Sequence, residues 1–137
     1  MENMDSTVIA TSLPAIAADL GTDPFIDDTA PAFAEADLIV CRAGASTVTE
    51  IAAVGAAALF VPFPFAVDDH QTTNASFLVD QGGGWLIQQS ELSPERLARM
   101  LQETGRPELL RRAEKAWDLR KTDATRDVVA ACEELAK

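Results

Sequence analysis

The 137-residue sequence predicts an α/β fold, a partial parallel sheet of three to four strands flanked by helices. Three observations carry this. Residues 37–41 form a short, continuous, β-branched apolar run and 57–63 a second apolar run ended by prolines, the pattern of strands buried on both faces. Segments with helical spacing, 8–12 residues long, lie between and after them. Glycines and prolines close most segments, as at Gly55, Pro62 and Gly82-Gly83-Gly84.

In chain order, residues 6–21 open in a β-like manner and continue helix-like, with Pro14 suited to a first turn and Gly21 to a stop. Residues 24–28 end as a short strand or turn, and Asp27 or Asp28 is placed to cap a helix over 32–36. The strand 37–41 leads through Arg42-Ala43-Gly44-Ala45-Ser46 into a helix over 47–54. The strand 57–63 leads through a loop at 65–69 into a helix over 70–80. A third strand covers 85–88. Ser93-Pro94-Glu95 then opens a helix with a cap, a first-turn proline and a first-turn acid, and helices over 107–117 and 124–136 complete the chain. With right-handed crossovers, the loops after Cys41 and Phe63 leave the same edge of the sheet, where α/β folds bind ligands.

Composition narrows the function classes. Apolar residues make up 47% of the chain, enough for a core, and the net charge of −11 argues against nucleic acid and against docking on an anionic membrane. Net charge does not report on an anion held by backbone N–H groups at a helix start. Cys41 and Cys132 lie in no CxxC or Cys/His cluster, so both read as buried free thiols, which suits a reduced cytosol. With His70 the sole histidine, a multi-His metal site is excluded. The longest apolar stretches are short of a membrane span, and residues 1–5 are acidic where a signal peptide is basic.

Two clusters bear chemistry. In Arg42-Ala43-Gly44-Ala45-Ser46-Thr47-Val48-Thr49-Glu50, tiny side chains let a ligand approach the backbone, and the helix start presents unpaired N–H groups. A diphosphate held there needs no lysine, and Glu50, on the first turn, reaches past it toward a diol such as ribose. A plain strand–helix turn with a capping box, Thr47-x-x-Glu50, explains the same residues. Both readings stand at this point. In Asp68-Asp69-His70-Gln71-x-x-Asn74, the acids precede and cap a helix, while His70 and Gln71 face the same crevice with groups suited to sugar hydroxyls; a capped surface helix is the plainer account. Trp85 and Trp117 read as core or interface, and Arg111, Arg112, Arg120 and Lys121 as solvated helix charges. No catalytic residue is assigned.

These residues resemble a family. Residues 24–28, 36–52, 60–64 and 68–75 occur in the order and spacing of the C-terminal domain of the bacterial UDP-N-acetylglucosamine–N-acetylmuramyl-(pentapeptide) pyrophosphoryl-undecaprenol N-acetylglucosamine transferases, and 123–135 are similar too. The resemblance implies a GT-B-type enzyme whose C-terminal Rossmann-like domain binds UDP-N-acetylglucosamine. It implies that Ile26 meets the uracil and that Gly44, Ala45, Ser46, Thr47, Val48 and Thr49 face the phosphates. Glu50 would bond the ribose hydroxyls, and His70 with Gln71 would hold the N-acetylglucosamine; Arg42 would steady the loop. No metal and no cofactor is implied. The lipid-linked acceptor belongs to the full-length relatives, which sit on the cytoplasmic face of the inner membrane.

The resemblance covers about residues 24–137, so the chain is expected to be half of that domain and to lack turnover alone. Residues 1–23 resemble instead the first-helix region of major-facilitator multidrug efflux transporters, which suggests a fusion near Asp23-Pro24. The strand at 38–41 would then lack its neighbour. An apolar edge left bare invites pairing, so either residues 7–12 cover it or the chain dimerises through it. The competing function is a non-catalytic, self-associating α/β domain with little UDP binding; a transporter fragment is disfavoured by the short first segment.

Overall fold

The computed structural model describes residues 8–11 and 28–137. The expected helix near Pro14, its stop at Gly21, and Ile26 and Asp27 lie outside the described residues. Four parallel strands form one sheet in the order β1 (Val8–Thr11), β2 (Leu38–Cys41), β3 (Ala58–Phe60), β4 (Trp85–Leu86). Helix α1 (Thr29–Glu35) precedes β2, α2 (Ala45–Val54) joins β2 to β3, and α3 (His70–Val79) joins β3 to β4. Helices α4 (Pro94–Glu103), α5 (Arg106–Asp118) and α6 (Ala124–Leu135) follow.

The apolar runs are continuous because both faces of the sheet are covered. Ile39, Cys41, Ala58 and Phe60 point to one side, where Phe33 of α1, Val48 and Ile51 of α2, and Ala75 and Leu78 of α3 complete a core with Ala116 of α5. The alternate residues Val40, Leu59 and Val61 point to the other side, against Leu97 and Met100 of α4. This period of two is the strand geometry expressed in packing.

The edge of β2 is occupied within the chain itself. Val8 pairs with Leu38, Ile9 with Ile39, Ala10 with Val40 and Thr11 with Cys41, all in parallel, and Ala10 is fully buried. The first of the two expectations for this edge therefore describes the fold.

Strands β3 and β4 are assigned shorter than their apolar runs, though the burial continues through Val61 and Pro62 and the pairing through the Val61 N–H to the Cys41 carbonyl and the Ile87 N–H to the Phe60 carbonyl. Gly84 is required by close approach, since a Cβ there would lie 2.9 Å from the Ala58 carbonyl oxygen. Ser93 caps α4 as expected, accepting from the Arg96 N–H at 3.1 Å.

Three expectations are corrected. Asp28 stands at the N-cap of α1 but its side chain makes no cap hydrogen bond, and the helix opens three residues earlier than its apolar pattern. Cys132 is exposed on α6, while Cys41 is buried and its thiol is pushed up by desolvation, so it stays protonated and inert. Arg112 is no free surface charge: it lies 4.4 Å over the Trp85 ring and donates to the Gly84 carbonyl at 2.6 Å.

Candidate functional site

The site forms at the C-terminal ends of β2 and β3. Cys41 ends β2, three residues turn the chain, and α2 begins at Ala45 with Gly44 as N-cap. This corrects the helix start placed near Ser46 or Thr47 and removes the capping box, because Thr47 lies inside the first turn and Glu50 bonds elsewhere. A glycine N-cap offers no side chain to the first N–H groups, so the positive end of α2 stays uncapped.

Gly44 itself is informative. Its backbone, at φ −62° and ψ 150°, suits any residue, and among the described residues an added Cβ would meet only the Thr47 hydroxyl, at 3.9 Å. Among the described residues, neither conformation nor packing demands glycine here.

The remaining predicted residues of this cluster divide by orientation. Ala45 and Ser46 are exposed and Thr47 is half-buried. Val48 packs its side chain into the core and spends its N–H on the Gly44 carbonyl, and Thr49 returns its hydroxyl to the Ala45 carbonyl at 2.9 Å. Glu50, half-buried, accepts a 2.7 Å hydrogen bond on Oε2 from the Thr29 hydroxyl of α1.

Helix α3 ties this turn to the loop after β3. Gln71 Oε1 accepts from two backbone groups at once, the Ala43 N–H at 3.2 Å and the Phe63 N–H at 2.9 Å. Asn74, one turn along, donates its Nδ2 to the Ala43 carbonyl at 3.0 Å. Ala43 is thus held on both its polar groups by one helix face. Arg42 steadies the same region, donating to the carbonyls of Val61 and Pro62 at 3.3 Å each, with its guanidinium 5.6 Å from the Phe63 ring.

His70 lies beside Gln71 in sequence but is spent differently. Its ring is exposed and Nδ1 sits 2.9 Å from the Val67 carbonyl of its own loop. Asp69, the N-cap of α3, does not cap it with its side chain; its carboxylate accepts from Thr72 at 2.6 Å. The loop exposes Phe63, Phe65 and Val67, and both Asp68 and Asp69 hold positive φ.

Thr29 and Asn74 were absent from the predicted site residues. Asn74 carried a readable signal, three residues after Gln71 on the same helix face; Thr29, 21 positions before Glu50, carried none.

Residues 9–129 match the model of the glycosyltransferase family 28 C-terminal domain. The chain belongs to that family. Among relatives of this family 28 domain, it is 75% identical over 114 residues to the UDP-N-acetylglucosamine–N-acetylmuramyl-(pentapeptide) pyrophosphoryl-undecaprenol N-acetylglucosamine transferase of Polaromonas sp. (strain JS666), covering 83% of the chain and 30% of the relative. It is 70% identical over 114 residues to the protein of the same name from Acidovorax sp. (strain JS42), covering 83% and 29%. The chain therefore spans about 30% of the length of these curated relatives.

Among solved structures, Acinetobacter baumannii MurG superposes with a TM-score of 0.79 at 42% identity, covering 93% of the chain and 43% of that structure. The glycosyltransferase VinC, solved in complex with dTDP, superposes with a TM-score of 0.62 at 21% identity, covering 96% of the chain and 35% of that structure, and shows the fold alone. The parallel sheet with helices on both faces is thus the architecture of a GT-B C-terminal half.

Proposed function

We propose that this chain is the donor-binding part of a peptidoglycan N-acetylglucosaminyltransferase and takes UDP-N-acetylglucosamine, or UDP, at the turn between β2 and α2. The observation that carries the reading is Gly44: a helix N-terminus without a side-chain cap opens beside a glycine that packing among the described residues does not require. Backbone N–H groups around Ala45, Ser46 and Thr47 suit the diphosphate, and the Ser46 and Thr47 hydroxyls add donors. Glu50 serves the ribose. Gln71, its oxygen committed to two backbone groups, offers its Nε2–H to the sugar beside His70. Ile26, at the uracil, completes the set. The names of the Polaromonas and Acidovorax relatives support the donor and the acceptor class.

In the transfer, an acceptor hydroxyl attacks the anomeric carbon while the diphosphate leaves. The chain contributes stabilisation of the leaving diphosphate by the α2 N-terminus, and positioning of the sugar. The base and the lipid-linked muramyl-pentapeptide site belong to the remainder of a full-length enzyme, working at the cytoplasmic face of the membrane, so the chain alone binds without turning over. Residues 1–23 are a segment of other origin than 24–137, and Val8–Thr11 within it forms β1 of the sheet.

Gly44→Ala tests this directly. The substitution is expected to leave the melting temperature unchanged or slightly raised, because the backbone there suits alanine. UDP affinity by calorimetry is expected to fall about tenfold or more, since a methyl group would occupy the space of the phosphate and ~1.4 kcal/mol corresponds to each factor of ten. Equal UDP affinity in both proteins would remove the turn from the site.

A further inference from the structure

We infer that Thr29 is a positioning residue that aims Glu50 and so sets the preference of the site for ribose over 2′-deoxyribose. This rests on the reading of the β2–α2 turn as a nucleotide site with Glu50 at the sugar of the nucleoside. The hydroxyl of Thr29 donates to Glu50 Oε2 at 2.7 Å, and both residues are half-buried.

The bond is held from below. Phe33 of α1 and Ile51 of α2 belong to one buried cluster, so the two helices bring Thr29 and Glu50 together through their packed faces. Thr29 is the first residue of α1, and its β-branched side chain has few rotamers. Glu50, with three side-chain torsions, has many. A stiff donor on one carboxylate oxygen selects one orientation of a flexible group before any ligand arrives, which removes an ordering cost from binding.

The bond also leaves the right capacity free. An ionised carboxylate accepts at about four lone-pair sites. With one on Oε2 taken by Thr29, Oε1 and the remaining site on Oε2 accept from two vicinal hydroxyls. Ribose presents two such donors and 2′-deoxyribose one. The contribution of Thr29 therefore weighs more on UDP than on the deoxy nucleotide, where a purely structural role would weigh equally on both.

The test is a calorimetric titration of UDP and of 2′-deoxyuridine diphosphate against the chain and its Thr29→Val, Thr29→Ser and Glu50→Ala variants, with thermal melts as a folding check. The unaltered chain is expected to prefer UDP. Thr29→Val is expected to lose about three- to tenfold in UDP affinity and clearly less in affinity for the deoxy nucleotide, which presents one hydroxyl to Glu50 where UDP presents two, and Thr29→Ser, which keeps the hydroxyl, to retain the preference. Should the valine variant unfold, Thr29→Ala makes the same comparison. If Thr29→Val keeps the full preference while Glu50→Ala loses it, the positioning role is overturned and the nucleotide site stands. If the unaltered chain binds no UDP, or its preference survives Glu50→Ala, both fall together.

Discussion

The turn after β2 and the loop after β3 leave neighbouring parallel strands at the same end of the sheet, yet they are built in opposite ways. The turn is three residues long, Arg42-Ala43-Gly44, with Ala43 fully buried and both its polar backbone groups bonded to α3. The loop is longer and carries Phe65 at 82% exposure, with two aspartates in left-handed backbone. A tight, anchored turn fixes the positions of its backbone N–H groups. A longer loop sacrifices that rigidity and presents side chains. Gln71 joins the two, because one oxygen accepts from each.

The largest expected effect comes from cutting that joint. Gln71→Ala leaves the Ala43 and Phe63 N–H groups without their acceptor, and the buried one dominates the cost. A loss of about 1–3 kcal/mol in denaturant-derived stability is expected, with faster hydrogen exchange at both amides. Gln71→Glu keeps an oxygen acceptor in place and is expected to retain slow exchange at Ala43. Slow exchange at Ala43 in the alanine variant would show that turn and loop are held independently.

A smaller effect separates the two backbones. Asp68 sits at φ 54° and ψ 23°, a region that penalises a Cβ, whereas Gly44 sits at φ −62°. Asp68→Gly is therefore expected to be more stable than Asp68→Ala by about 1 kcal/mol in paired thermal melts. At Gly44 alanine carries no such penalty. Equal stability of the two Asp68 variants would mean that the loop relaxes where the turn does not.

The smallest effect lies away from both and serves as their reference. Hydrogen bonds from Arg111 and then Arg112 lower the Glu108 carboxyl from its ordinary 4.5 to about 2. A depressed folded-state value means that the group stabilises the fold fully above pH 4.5 and loses this contribution as pH falls toward 2. The carboxylate is on the surface, so only a slight change is expected. Comparing melts of the chain and Glu108→Gln between pH 6 and pH 2.5 checks it: the difference between them should shrink as pH falls.

Much of this architecture was legible in the residues. The runs at 37–41 and 57–63 read as strands buried on both sides, and the structure buries 38–41 and 57–62, while Asp37 is half-buried and Phe63 is exposed. Gly55, at φ 70°, ends α2 where the sequence placed its stop. The order of motifs pointed to the family that the whole-chain comparison establishes.

What the tertiary structure decided were the partners. Thr47-x-x-Glu50 satisfies a local capping rule, yet Glu50 turns to Thr29, 21 positions earlier, because α1 packs beside α2. Gln71 reads as a sugar ligand, yet its oxygen is spent on two turns 28 and 8 positions away. Cys132 lies in an apolar helical pattern, yet α6 leaves it exposed. Periodicity and propensity describe which face of an element is apolar; they act over a few residues. A hydrogen-bond partner across the fold depends on which elements the packed core brings side by side, and that is settled only once the chain is folded.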